Sequence, residues 1–159
     1  MGKAAIYDGK YAIQTGSYGA EARGTTAKSD VIISDRNIAF PQVRNCNILL
    51  AMSETALQNH LKSLREDGSL LIDPDLIKEA PRFLGKIFNI PANRTSEEEL
   101  GSRLYTNMVM LGALTSITGV VTAEAVEKSI ADYVGPSELE KNLKAFKLGL
   151  GLPAKTSTQ

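Results

Sequence analysis

An α/β chain with a helical C-terminal third is the fold class this sequence predicts, and three observations carry the prediction. Two short apolar runs, Asn47-Ile48-Leu49-Leu50-Ala51-Met52 and Ser69-Leu70-Leu71-Ile72-Asp73, are bounded by polar residues, as strands buried on both faces of a parallel sheet are. Helical patterning from Glu54 to Glu66, capped by Ser53, separates them and completes a strand–helix–strand unit, for which a right-handed crossover is expected. From Thr95 onward the apolar residues recur at helical spacing behind Ser and Thr caps. With 159 residues and 43% hydrophobic content the chain buries one full core, so a single domain over residues 1–152 is expected, followed by a polar, flexible tail over 153–159.

Taken in order, Gly2 to Asp8 reads as the last turns of a helix that stops at Gly9. Tyr11 to Gln14 is a short strand and Ala27 to Ser34 a clearer one, with Val31-Ile32-Ile33 at its centre. Ser34 to Asn37 is a turn, and Ile38 to Val43 is extended, with Pro41 marking an edge because it cannot donate to a ladder. The helix capped by Ser53 should end at Asp67-Gly68, and Lys86 to Pro91 adds a further strand. Thr95 and Glu98 match a capping box for a helix to about Tyr105. Asn107 to Thr118 is apolar nearly all round and therefore a buried helix, with Gly112 and Ser116 on one face where another backbone can come close. Thr122 caps a helix through Tyr133, and Ser137 with Glu140 forms a second capping box for a last helix ending at Gly149 or Gly151.

Composition excludes several kinds of chemistry. Eighteen basic and eighteen acidic residues cancel, so no net field draws in nucleic acid or an anionic membrane. The longest nearly apolar run, Met108 to Val121, is too short to cross a bilayer, and no signal-peptide pattern opens the chain. Cys46 is the one cysteine and His60 the one histidine, whereas a structural zinc site or an iron–sulfur cluster takes about four such ligands. A metal site is therefore not expected, an internal disulfide is impossible, and a cytoplasmic location fits the single thiol. Cys46 is expected to be a small buried hydrophobe at a strand start. His60 lies beside the Leu57, Leu61, Leu64 stripe and is expected to pack rather than to catalyse.

The most unusual stretch is Gln14 to Gly24, a glycine-punctuated loop carrying Tyr18, Glu21 and Arg23. Its glycines permit positive φ or close backbone approach, and its side chains suit a loop that docks on something. Arg23 offers a planar fork for a phosphate or a carboxylate, and Tyr18 a ring for stacking. The plainer alternative is that Glu21 and Arg23 satisfy each other and hold the loop in shape.

Ser17-Tyr18-Gly19-Ala20-Glu21-Ala22-Arg23-Gly24, then Ser29 to Asp35, then Asn107-Met108-Val109-Met110-Leu111-Gly112-Ala113-Leu114 resemble, in order and spacing, the gamma subunit of 2-oxoacid:ferredoxin oxidoreductases. Pro41, Leu50-Ala51-Met52 and the closing Ala145-Phe146-Lys147-Leu148-Gly149 extend the likeness over nearly the whole chain. The resemblance implies a Rossmann-like three-layer sandwich with a mostly parallel sheet. It also implies a subunit without catalytic residues of its own, serving the oxidative decarboxylation of a 2-oxoacid, 2-oxoglutarate or pyruvate, with coenzyme A to an acyl-CoA. Thiamine diphosphate, Mg and iron–sulfur clusters are then expected on partner alpha, beta and ferredoxin-like delta subunits, which pass electrons to ferredoxin. Tyr18, Glu21, Arg23 and Asn107 become the residues expected to contact coenzyme A or a partner, with Asn107 as a helix cap for its alternative.

One departure stands beside these matches. Members of the family begin with a strand and a G-x-G-G-Q-G loop, and only the end of the helix that follows has a counterpart here, in Gly2 to Asp8. The fold is therefore expected to be N-terminally truncated, with a misassigned start, a fragment, or a strand supplied by a partner as the open explanations. Two other functional classes remain beside the ligand-contacting subunit. One is a purely structural assembly subunit or inactive fragment. The other is an independent nucleotide-binding enzyme, disfavoured because no G-x-G-x-x-G loop is present.

Overall fold

The computed structural model describes residues 1–18, 27–152 and 155–157. The chain opens with helix α1 (Gly2–Tyr7), which Gly9 ends at a positive φ of 74°. Strands β1 (Tyr11–Tyr18) and β2 (Ala27–Ser34) then pair antiparallel as a two-stranded sheet, Tyr11 opposite Ser34 and Tyr18 opposite Ala27. The glycine-rich stretch therefore begins inside a strand, because Gln14 to Tyr18 take ladder positions opposite Val31 to Ala27.

A second sheet has the order β3 (Cys46–Ala51), β4 (Leu64–Ile72), β5 (Lys86–Asn89) and β6 (Lys155–Ser157). Its first three strands are parallel, while β6 returns from the C-terminal tail antiparallel to β5. Side chains alternate across it. Leu70, Ile72, Ile87 and Ala51 pack beneath helix α2 (Glu54–His60) and Ile77 of the following loop. Leu71 and Phe88 face the opposite way, onto Val109, Met110 and Ala113 of helix α4 (Thr106–Thr118). Helix, sheet and helix thus form the three layers of the predicted sandwich. Beyond α4, helices α5 (Ala123–Tyr133) and α6 (Pro136–Gly151) enclose a second core in which Phe146 is fully buried against Ala4, Ala5, Val126 and Ile130.

The predicted elements are present, but several boundaries move for reasons that lie outside the local sequence. α2 stops at His60, gives one 3-10 turn over Leu61–Ser63 and enters β4, so Asp67-Gly68 lies within a strand and does not end a helix. Leu64 is 7% exposed and pairs opposite Cys46, and its burial outweighs the helical pattern that runs through it. Ile38 to Val43 has no ladder partner. Helix α3 (Ala92–Leu100) begins before Thr95, which is therefore not its cap, because Asp73 reaches from the end of β4 to bind the helix start. At α6, Gly135 precedes Pro136 in the first turn, and proline's fixed φ starts the helix ahead of the expected Ser137 cap.

Caps at Ser53 and Thr122 form as predicted, each side-chain oxygen accepting from the amide three residues on. Thr122 does more: its amide and hydroxyl both donate to the Asp8 carboxylate, at 2.7 and 2.6 Å, which ties the end of α1 to the start of α5. These bonds hold the Asp8 carboxyl below its ordinary range. Thr122→Ala removes the cap and one of the two bonds, and we expect it to lower stability by about 1 kcal/mol in urea titrations at neutral pH. The Asp8 contribution is present above the unfolded carboxylate range and disappears as pH falls through the depressed folded value, so the acid limb of the titration should flatten in Asp8→Asn.

Candidate functional site

The predicted site residues divide between two places. Tyr18 is the last residue of β1, opposite Ala27. Glu21 and Arg23 lie outside the described residues. Asn107 is the second residue of α4, on its exposed side. It is not the helix cap, a position that Tyr105 takes, and its Oδ1 accepts from the adjacent Met108 amide at 2.9 Å.

What the fold does assemble is a polar knot at the carboxyl ends of β4 and β5, the edge at which open α/β sheets present ligand-binding groups. Asp73 follows β4 directly and is fully buried. Its carboxylate accepts from the Asn93 amide at 2.6 Å and from the Asp75 amide at 2.8 Å, so it caps α3 and closes the turn after β4 at once. Burial pushes the Asp73 carboxyl above its ordinary range, against these amides, which favour the ionised form. Asn93 in turn receives the Thr106 hydroxyl at 3.4 Å, and Thr106 also donates to the Arg103 carbonyl at 2.8 Å. Ser96 donates to the Ser102 carbonyl at 2.5 Å, and the Tyr105 hydroxyl donates to Glu138 at 2.6 Å. Arg94 pairs with Asp75 at 2.8 Å and Arg103 with Glu97 at 2.6 Å on the solvent side.

This knot fixes the start of α4, and therefore Asn107, relative to the sheet. Among the described residues no buried polar side-chain atom lacks a hydrogen-bond partner, so the buried part of the network is satisfied within the chain. Sequence reasoning missed Asp73, although an aspartate directly after a buried apolar strand and before Pro74 was a readable sign. A groove of about 810 Å³ between α3 and α6 is lined by Glu98, Glu99, Lys144 and Lys147 together with leucines, a mixed-sign surface with no convergent polar set.

The lone thiol and the lone imidazole both sit among structural contacts. Cys46 is half-buried at the start of β3, its thiol donates to the Ser63 carbonyl at 3.4 Å, and burial raises its pKa, so the thiolate is disfavoured. His60 ends α2, half-buried beside Leu61. A single thiol cannot hold an iron–sulfur cluster, and among the described residues no three His, Cys, Asp or Glu side chains converge for a metal. No helix is long and apolar enough to cross a membrane among those residues.

Known proteins resemble this chain over most of its length. Residues 1–152 match the family model described as pyruvate ferredoxin/flavodoxin oxidoreductase. The chain is 47% identical over 156 residues to 2-oxoglutarate synthase subunit KorC of Methanothermobacter thermautotrophicus, covering 94% of this chain and 82% of that one. It is 33% identical to pyruvate synthase subunit PorC of Thermotoga maritima, with 94% and 82% covered. Among solved structures, the gamma subunit of a keto/oxoacid ferredoxin oxidoreductase from Geobacter sulfurreducens superposes with a TM-score of 0.80 at 38% identity, covering 94% of this chain and 84% of that one. A family model spanning nearly the whole chain, and relatives that share both its sequence and its layered fold, place this protein in the pyruvate ferredoxin/flavodoxin oxidoreductase family as the gamma subunit of a 2-oxoacid:ferredoxin oxidoreductase.

Proposed function

We propose that the complex served by this subunit converts 2-oxoglutarate, coenzyme A and oxidised ferredoxin to succinyl-CoA, carbon dioxide and reduced ferredoxin in the cytoplasm. The observation that carries the substrate is the higher identity to the relative named for 2-oxoglutarate, 47%, than to the one named for pyruvate, 33%. In this reading thiamine diphosphate, Mg and the iron–sulfur clusters sit on alpha, beta and ferredoxin-like delta subunits, which the lone cysteine of this chain supports. The gamma subunit braces those partners and presents the Ser17-to-Gly24 loop to the coenzyme A channel, with Arg23 on a phosphate and Tyr18 and Glu21 shaping the approach. Asn107, exposed where the polar knot holds the start of α4, belongs to the same contact surface in this proposal.

Purified complex assayed with both oxoacids tests the proposal. The expected kcat/KM is higher for 2-oxoglutarate than for pyruvate, and the reverse order rejects the substrate. In the same complex Arg23→Ala should raise the coenzyme A KM roughly tenfold with assembly intact, as loss of one charge-assisted phosphate contact does. An unchanged KM leaves the loop a partner contact or a self-satisfied turn, the purely structural reading of this subunit.

A further inference from the structure

The opposite edge of the parallel sheet carries a second feature. Ile48, Ser69 and Lys86 are in register, so Asn47, Gly68 and Gly85 form the row before them. Backbones press together there: a methyl group at Gly68 would lie 2.9 Å from the Asn47 carbonyl oxygen, and one at Gly85 would lie 2.3 Å from the Gly68 carbonyl oxygen. Between Leu64 and Ser69 the ladder is irregular, since Cys46 and Ile48 oppose residues five apart, and Arg65, Glu66 and Asp67 stand out beside a groove of about 500 Å³.

On this stiff edge two large apolar side chains face water. Leu84, next to Gly85, is 87% exposed, and Phe40 is 53% exposed with its ring 5.1 Å from the Arg44 guanidinium. Arg44, Lys62, Arg82 and Lys86 all fall within four residues of the strand starts that make this edge. Asp67 is taken up by Arg65 at 2.9 Å, so Glu66 is the opposing carboxylate without an ion-pair partner among the described residues. An exposed leucine and a phenylalanine stacked on an arginine, on an edge whose strand starts carry further cations, is the composition of an interface centre and its rim.

We propose that this amino-terminal edge docks another subunit of the oxidoreductase, one that presents an apolar socket for Leu84 and Phe40 within a carboxylate-rich rim. The charge selects the occupant. A second copy of this chain meeting the edge about a two-fold axis would bring Arg44, Arg82 and Lys86 against their own copies, which like-charge repulsion opposes. The inference rests on membership of a multi-subunit complex and not on which 2-oxoacid is used.

The test uses the co-expressed complex captured through a tag on a partner subunit. Leu84→Asp and Arg44→Glu are each expected to lower retention of this chain about tenfold, with the thermal midpoint of the isolated chain unchanged. Leu84→Ser, which adds no charge, should weaken retention less. Wild-type retention of both charged variants overturns the proposal. So does a change confined to self-association of the isolated chain, which gives the edge to a second copy. Intact assembly with slower acceptor reduction also overturns it, since the edge then serves a free electron acceptor. None of these outcomes depends on the preferred oxoacid, so this proposal and the substrate assignment fail separately.

Discussion

Gly149→Ala is expected to destabilise the subunit by about 3 kcal/mol, the upper part of the range for overpacking a tight core contact. For a chain of 159 residues this lowers the thermal midpoint by roughly 6–12 °C, measurable by calorimetry or circular dichroism. The reason is the α4–α6 crossing. A methyl group at Gly149 would lie 1.9 Å from the Val109 carbonyl oxygen, and one at Gly112 would lie 2.1 Å from the Phe146 carbonyl oxygen. Each obstacle is backbone, so neither can be relieved by turning a side chain. The helices would have to separate, and Phe146, fully buried between them and α1, would lose contacts along with them. Helix propensity works the other way, favouring alanine by up to about 1 kcal/mol, and it does not offset a clash of this depth. Gly151→Ala is the matched comparison: nothing lies within 4 Å of a methyl group there, and the change should be neutral or slightly stabilising. A Gly149→Ala midpoint equal to wild type would show that the two helices cross with more room than this packing allows.

Asp73→Asn is expected to cost about 2–3 kcal/mol at neutral pH, as loss of a charged acceptor for buried amides does. An asparagine side chain keeps the shape but turns one acceptor into a donor. It then faces either the Asn93 or the Asp75 amide, both of which donate to Asp73 in the native protein. The pH dependence separates this carboxylate from the exposed ones. Because the folded Asp73 value lies above the unfolded one, the folded state holds the proton more tightly, and the contribution of Asp73 falls as pH rises from the unfolded value through the folded one. The stability gap between wild type and Asp73→Asn should therefore be widest in acid and narrow towards neutrality. Asp8, Asp67 and Asp132, whose values are depressed by their hydrogen-bond and ion partners, act with the opposite sign and are common to both proteins. A gap that widens with rising pH would mean that the two amides outweigh burial at Asp73.

Asp73 also marks the limit of what local sequence can reveal. The runs Asn47 to Met52 and Ser69 to Asp73 were legible as buried strands because each is continuous, short and bounded by polar residues, and the structure makes them parallel neighbours. Ser53 and Thr122 were legible as caps because their partners lie three residues away. Thr95 and Ser137 match the same pattern without capping, since a carboxylate about twenty residues upstream binds the start of α3 and a proline begins α6 early. The small-residue face of α4 was read as Gly112 with Ser116, yet Ser116 is exposed and the close approach is made by Gly112 with Gly149, which lies on another helix.

The site shows the same division. Glycine spacing singled out Gln14 to Gly24, and of that stretch Gln14 to Tyr18 take ladder positions in β1. Asn107 was chosen from its motif, but the hydrogen bonds that orient the start of α4 run through Thr106, Asn93 and Asp73, which no spacing rule connects. By itself the sequence determined the order and type of the elements from α1 to α6 (though not the strand β6 in the tail), the absence of ligands for a redox cluster, and the family, because periodicity, residue counts and motifs are properties of the chain read along its length. Only the tertiary structure decided where α2 ends, what caps α3, which glycines let α4 and α6 touch, and which exposed groups share one edge of the sheet. Those depend on residues far apart in sequence competing for the same buried space and the same hydrogen bonds, a balance that no local pattern encodes.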